Sequence, residues 1–186
     1  MKDLLTRSVF IRLAALLLAL APVLSACDTE PAAVKQAREH EEEYKKIDDK
    51  LIQDYFTRKG ITSSNYQRTE SGLYVVTVKE GSGQLIQKGN RVQVQYIGRF
   101  LKQEREDVVF DKSYGNRTLC ECTEVVVGAN SVIRGWEEAL LLMKPGDEKR
   151  IFVPSYLAYG QYSSSPSIPN DEPLQFEMVI SKVNLQ

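Results

Sequence analysis

Histidine occurs once in the 186 residues of this chain and cysteine three times. A zinc or other transition-metal site needs a cluster of such ligands, and His40 stands far in sequence from Cys120 and Cys122, with no second cysteine pair to complete a tetrahedron. No metal and no cofactor are therefore expected. Charge of one sign is missing too. With 24 basic residues against 25 acidic ones, nothing in the composition recruits nucleic acid or steers a charged substrate. A long apolar run is also lacking, because the uncharged stretch after Arg12 falls short of the roughly 20 residues that a helix needs to cross a bilayer.

Short as it is, that N-terminal stretch has an order of its own. Lys2, Arg7 and Arg12 give it a positive start, residues 13–21 are apolar, and Leu24-Ser25-Ala26-Cys27 sets small residues before a cysteine. This is the order of a cleaved targeting segment. Leu24-Ser25-Ala26-Cys27 resembles the lipobox of bacterial lipoproteins. The resemblance implies cleavage before Cys27, lipid on that cysteine and a place in the bacterial cell envelope, anchored to a membrane on its periplasmic or outer-surface side. Several acyl chains, at about 0.8 kcal/mol per buried methylene, would hold a soluble domain there. Three segments are expected: residues 1–26 as signal peptide, 27–65 as lipidated N-terminus, helix and linker, and 66–186 as the folded domain. The other two cysteines flank Glu121. Residues i and i+2 of an extended strand sit too far apart for an unstrained bridge, and a strained one is easily reduced. Two ordinary thiols or a labile bridge are expected, without a catalytic role.

From residue 31 to 59 the chain is polar and free of glycine, and Tyr44, Ile47, Leu51 and Tyr55 recur at three- and four-residue steps. That spacing predicts an amphipathic helix, supported by Glu41 with Lys45 and Glu42 with Lys46 at i,i+4 and stopped by Gly60. It serves either as a partner or dimerisation helix or, the favoured reading, as a spacer packed against the domain it precedes. Residues 62–65 form a polar hinge. Beyond them lie short strands: residues 73–78, 91–96 with Val92, Val94 and Tyr96 inward, 124–127, 149–153, and a last one with Leu174, Phe176, Met178 and Ile180 inward. A single helix, 133–143, carries Trp136, Leu140 and Met143 on one side, and Lys144-Pro145-Gly146-Asp147 turns the chain after it. The expected class is α+β: an antiparallel sheet wrapped around one short helix, with the N-terminal helix in front.

The chain's only tryptophan sits in Val132-Ile133-Arg134-Gly135-Trp136. Alone it would read as a core residue. In company with Tyr96-Ile97-Gly98, Phe110-Asp111-Lys112-Ser113, Pro154 to Tyr159-Gly160, Ile168-Pro169 and Leu174-Gln175-Phe176, it resembles the FKBP-type peptidyl-prolyl isomerases, from about Gly72 onward. The segment from Pro154 to Gly160 has one residue more than the family's Pro-Xaa-Xaa-Ala-Tyr-Gly. The resemblance implies a pocket of Tyr96, Phe110, Val132, Trp136, Ile168 and Phe176 around a substrate proline, with Trp136 beneath the ring. It makes the Ile133 backbone N–H and the Tyr159 phenol donors to substrate carbonyls, and puts the Asp111 carboxylate at the rim. On local sequence alone Asp111 could equally cap a turn beside Ser113, and Tyr159 could be a plain core tyrosine.

The implied chemistry needs no nucleophile. Rotation about a peptide bond meets a barrier of about 18–20 kcal/mol because the planar amide is resonance-stabilised. The twisted amide is less polar, so an apolar pocket penalises the planar form more, and donors aimed at the twisted form add selective stabilisation. Two departures from the family pattern stand out. Thr123 and Val125 replace aromatic residues in the strand before Gly128, which thins that wall. A serine-rich segment, 161–167, takes the place of a loop histidine and is expected to act as a lid. The charged stretch 101–107 extends a hairpin. An enzyme acting on proline-containing unfolded or exported polypeptides is the first expectation, and a chaperone that holds such segments with little turnover the second. A third, weaker one is a chiefly structural lipoprotein that pairs through its N-terminal helix.

Overall fold

The computed structural model describes residues 30–184. The signal-peptide and lipidation expectations, Cys27 included, fall outside them. The chain parts into two compact units, residues 1–37 and 38–186. The first opens helix α1 (Ala32–Lys59), whose start is closed by Val34 N–H on Pro31 O. All that follows concerns the second.

Among the described residues, seven strands form one antiparallel sheet. They are β1 (Gln67–Arg68), β2 (Tyr74–Lys79), β3 (Arg91–Phe100), β4 (Val109–Lys112), β5 (Thr123–Val126), β6 (Glu148–Val153) and β7 (Leu174–Asn184). The order is β1-β2-β6-β7-β3-β4, with β5 also on β3. The long β3 serves two partners along one edge, β5 beside residues 91–94 and β4 beside 97–99. Helix α2 (Arg134–Leu141) lies between β5 and β6 in the chain.

The register sorts side chains into rows. Val75, Ile151, Phe176 and Gly98 are successive partners across four strands, and the neighbouring row is Tyr74, Phe152 and Gln175. Adjacent rows face opposite sides of a sheet. The first row joins the main core with Trp136, Ala139 and Leu140 of α2. The second row is also buried, because α1 covers it: Ile52, Tyr55 and Phe56 pack with Tyr74, Phe152 and Leu101. Phe56 stands edge-on to Phe152 at 4.6 Å and to Tyr74 at 5.3 Å between ring centroids. Gln175, which alternation alone would turn to water, is buried, and the Tyr55 hydroxyl reaches its Oε1 at 2.8 Å.

α1 packs against the domain that it precedes, the arrangement that the spacer reading expects. The buried face is not the one the spacing singled out. Ile47 is 43% exposed, while Asp48, Ile52, Tyr55 and Phe56 are buried. Two apolar stripes overlap at Tyr55, and an aspartate in the line of the buried one disguised it. The helix ends as expected. Gly60, at φ 66°, puts its N–H on Thr57 O, and Ile61 N–H returns to Phe56 O, the paired bonds of a glycine C-cap. Arg58 and Lys59, in the last turn, ion-pair with Glu106, and Lys59 also with Asp107. The charged 101–107 stretch joins antiparallel β3 and β4 as a hairpin connection, as expected, and is in addition tied to the helix.

Asp48 is 1% exposed. Burial raises its pKa to about 6, against the opposing pull of hydrogen bonds from Ser155. A carboxyl that titrates near 3.8 when unfolded and about 6 when folded binds its proton more tightly in the native state. The resulting stability is fully present below pH 4 and is lost as pH rises through 6. We predict that the free energy of urea unfolding of the wild type falls relative to that of Asp48→Asn between pH 4 and 7, by up to ~3 kcal/mol at 1.36 kcal/mol per unit. Parallel curves for the two proteins would rule this out.

Candidate functional site

A cavity of about 190 Å³ opens between α2 and the concave side of the sheet. Five elements and two loops supply its walls: Tyr96 from β3, Phe110 and Asp111 from β4, Thr123 from β5, Trp136 from α2 and Phe176 from β7. Ser131 to Ile133 come from the loop before α2, and Tyr159 from the loop after β6. Its size is below the roughly 300–1,000 Å³ of small-molecule clefts, which suits one ring and its flanking bonds.

The aromatic walls meet at right angles. Trp136 lies 4.9 Å from Tyr96 at 86° and 5.2 Å from Phe176 at 87°, and Phe110 lies 5.6 Å from Phe176 at 86°. Edge-to-face contacts of this kind fix each ring beyond the effect of area burial alone. Two glycines make the arrangement possible. A Cβ on Gly98 would lie 2.6 Å from the Phe110 ring, and one on Gly135 would lie 2.5 Å from a Val153 methyl. The first lets Phe110 lie over β3, and the second lets α2 come close enough to β6 to seat Trp136.

Polar groups gather at the rim. The Tyr96 hydroxyl donates to Asp111 Oδ2 at 2.7 Å, and Lys112 N–H donates to Asp111 Oδ1 at 2.8 Å. Ser113 Oγ accepts Tyr96 N–H at 3.0 Å, which locks β4 to β3. Burial raises the pKa of Tyr96, helped by the hydrogen bond to Asp111 and the charge of that carboxylate. Tyr159 is raised as well, by burial and then by the charge of Asp111. Both phenols keep their protons at neutral pH and remain donors. Ile133 caps α2 from an extended conformation, and its carbonyl takes the N–H groups of Trp136 and Glu137. Its own N–H has no acceptor among the described residues.

Nine residues were singled out from sequence as catalytic or substrate-binding, and the cavity gathers eight of them: Tyr96, Phe110, Asp111, Val132, Ile133, Trp136, Tyr159 and Phe176. Ile168 is 4% exposed and packs in the main core, where it pins the serine-rich segment from below. That segment bonds to itself and to its flank, with Ser165 N–H on Ser163 Oγ and Ser163 N–H on Asn170 Oδ1. Ser131 lines the cavity although no sequence signal marked it, and Thr123 stands in the wall where an aromatic ring was missed. Strand β4 went unassigned because its four residues include no alternating apolar pair.

Cys120 and Cys122 form a disulfide, with Cα atoms 5.1 Å apart. The spacing objection fails because this stretch is a turn and not a strand. Glu121, at φ 48°, bends the chain between them, and the Thr118 hydroxyl accepts Cys122 N–H. Among the described residues no group of three or more histidine, cysteine or acidic residues could hold a metal ion, and no helix is long and apolar enough to cross a membrane.

Residues 82–181 match the family model described as FKBP-type peptidyl-prolyl cis-trans isomerase. The FKBP-type 22 kDa peptidyl-prolyl cis-trans isomerase of Escherichia coli is 31% identical over 134 residues, 72% of this chain and 58% of that protein. The FK506-binding protein of Neisseria meningitidis serogroup B is 31% identical over 112 residues, 60% of this chain and 96% of that protein. Among solved structures, the crystal structure of FkpA from Escherichia coli superposes with a TM-score of 0.59 at 25% identity, covering 81% of this chain and 62% of that one. The chain spans between 21% and 58% of the length of the first curated relatives it matches.

Proposed function

The chain belongs to the FKBP-type peptidyl-prolyl cis-trans isomerase family, and from that membership we propose that it catalyses cis-trans exchange of X-Pro bonds in unfolded or exported polypeptides. The observation that carries the reading is the cavity itself, apolar and ring-walled at its floor with proton donors at its rim. A proline ring over Trp136 leaves its imide among Tyr96, Phe110 and Phe176, where the polar planar form loses solvation and the twisted form loses less. As the bond twists, the Ile133 N–H and the Tyr159 phenol donate to the carbonyls on either side. Asp111 holds the Tyr96 hydroxyl turned towards itself, which keeps that phenol from competing for the substrate carbonyl.

In a proline-peptide isomerisation assay, Tyr159→Phe removes one donor and is expected to lower kcat/KM about fivefold, from a hydrogen bond worth about 1 kcal/mol. Asp111→Ala frees the Tyr96 hydroxyl and is expected to lower it about tenfold, since a bond to a carboxylate is worth about 1.5 kcal/mol. An inactive wild type would sink the enzyme reading, and unchanged rates in both variants would sink the residue roles. The second reading, a module that holds proline segments with little turnover, draws on Thr123, which leaves one wall of the cavity without a ring. Peptide binding together with negligible turnover would favour it.

We place the protein in the cell envelope, held there by lipid on Cys27. Labelled fatty acid should be incorporated into the wild type and absent from Cys27→Ala. Retention of the label in that variant would refute the anchor. A homodimer through α1 would have to use the face that carries the exposed Ile47, because Ile52, Tyr55 and Phe56 are buried against the chain's own sheet.

A further inference from the structure

The loop that carries Tyr159 is held from outside the sheet. After β6 the chain makes a single tight turn, Ser155–Leu157, and Ser155 is its pivot. The Ser155 carbonyl accepts the N–H groups of both Ala158 and Gly160, each at 2.9 Å, and so grips the chain on either side of Tyr159. Ser155 is itself fully buried, and both its donors go to one atom. Its N–H lies 2.7 Å and its hydroxyl 2.6 Å from Asp48 Oδ2 on α1. The far side of the same loop is also tied to α1. Gly160 O accepts Asp171 N–H at 2.9 Å, and Asp171 Oδ1 lies 2.9 Å from His40 Nε2.

A buried carboxylate is a costly way to fasten a helix to a sheet that Phe56 and Ile52 already secure. The second oxygen, Oδ1, is buried and has no hydrogen-bond partner among the described residues. Several groups act on Asp48: Lys102, after β3, favours its charge and Asp171, before β7, opposes it, while burial first, and the charge of Asp48 to a smaller extent, raises Tyr44 on the same helix and Tyr156 on the turn. None of these replaces it on Ser155, whose two donors have no other acceptor.

We propose that Asp48 is a positioning residue for Tyr159: it fixes Ser155, and Ser155 fixes the turn that carries the phenol into the cavity. The helix ahead of the isomerase domain then helps to position the site without touching substrate, and the inference rests on the isomerase reading above. Asp48→Asn keeps an acceptor oxygen for Ser155 and puts an amide where the unpartnered Oδ1 lies. Asp48→Ala leaves both Ser155 donors buried without a partner.

The test is kcat/KM of the full chain on a proline peptide, combined with amide hydrogen exchange at Ala158 and Gly160. Asp48→Ala is expected to lower kcat/KM about fivefold, close to the level of Tyr159→Phe, and Asp48→Asn to stay within about twofold of wild type. In a Tyr159→Phe background, Asp48→Ala should cause no further loss, because both changes disable the same donor. Exchange at Ala158 and Gly160 should quicken in the alanine variant and not in the asparagine variant. A full further loss in the Tyr159→Phe background, or an unchanged rate in Asp48→Ala, would overturn the positioning role. An inactive wild type would overturn the isomerase reading instead, and the exchange rates would still report whether Asp48 holds the turn.

Discussion

Phe56→Ala is expected to lower the free energy of unfolding by about 3–5 kcal/mol, the range for truncating a buried aromatic ring without collapse of the site. Phe56 is 1% exposed and touches rings on every side: Phe152, Tyr74, Tyr66 and Tyr55. Those neighbours belong to two strands, the linker and the helix itself, so no single shift can fill the space. The loss also undercuts the docking of α1, because Ile52 and Tyr55 are the only other fully buried apolar residues it contributes. Urea unfolding should show a lower midpoint with an unchanged slope. A cost under about 1 kcal/mol, the ordinary effect of a point substitution, would mean that α1 does not secure this face of the sheet.

The second large effect is on activity. Gly98→Ala places a Cβ 2.6 and 2.9 Å from two atoms of the Phe110 ring and 3.1 Å from Phe176. Gly98 lies on β3 with β4 and β7 to either side, so its backbone cannot retreat, and both rings must move. They are cavity walls, and Phe176 also supports Trp136 edge-on. A displacement on the order of 1 Å at a reacting centre costs about a hundredfold in rate, and a loss of kcat/KM of that size is expected in the peptide assay. Overpacking of this kind costs about 1–3 kcal/mol in stability, so the variant should remain folded by circular dichroism. Activity within about threefold of wild type would show that Phe110 can shift without consequence and that its place in the wall is not catalytic.

Much of the site was legible in the sequence because each motif encodes a local constraint. Gly135 before Trp136 states that a helix comes within a methyl group of a strand, and Gly98 after Tyr96 states that a ring lies over the backbone. Constraints of that kind survive in one dimension. Ile168 shows the limit. The Ile-Pro pair marks the right loop, yet whether its side chain faces the cavity or the core depends on how that loop folds back, and it packs in the core. The cysteines were left as two thiols or a labile bridge for a similar reason: spacing describes a strand, and a left-handed Glu121 made the segment a turn that holds the bridge.

By itself the sequence determined the strand faces, the helix that fills them, the glycine stops and the order of motifs that converge on Trp136, because periodicity and backbone freedom are local properties. Only the tertiary structure decided which stripe of α1 is buried, why Gln175 lies inside, and what Asp48 binds. Each of these turns on a polar group whose partner comes from a distant part of the chain, 107 residues away for Asp48 and Ser155 and 120 for Tyr55 and Gln175. A buried polar residue is tolerated only where such a partner arrives, and its arrival is a consequence of the fold that no local pattern records.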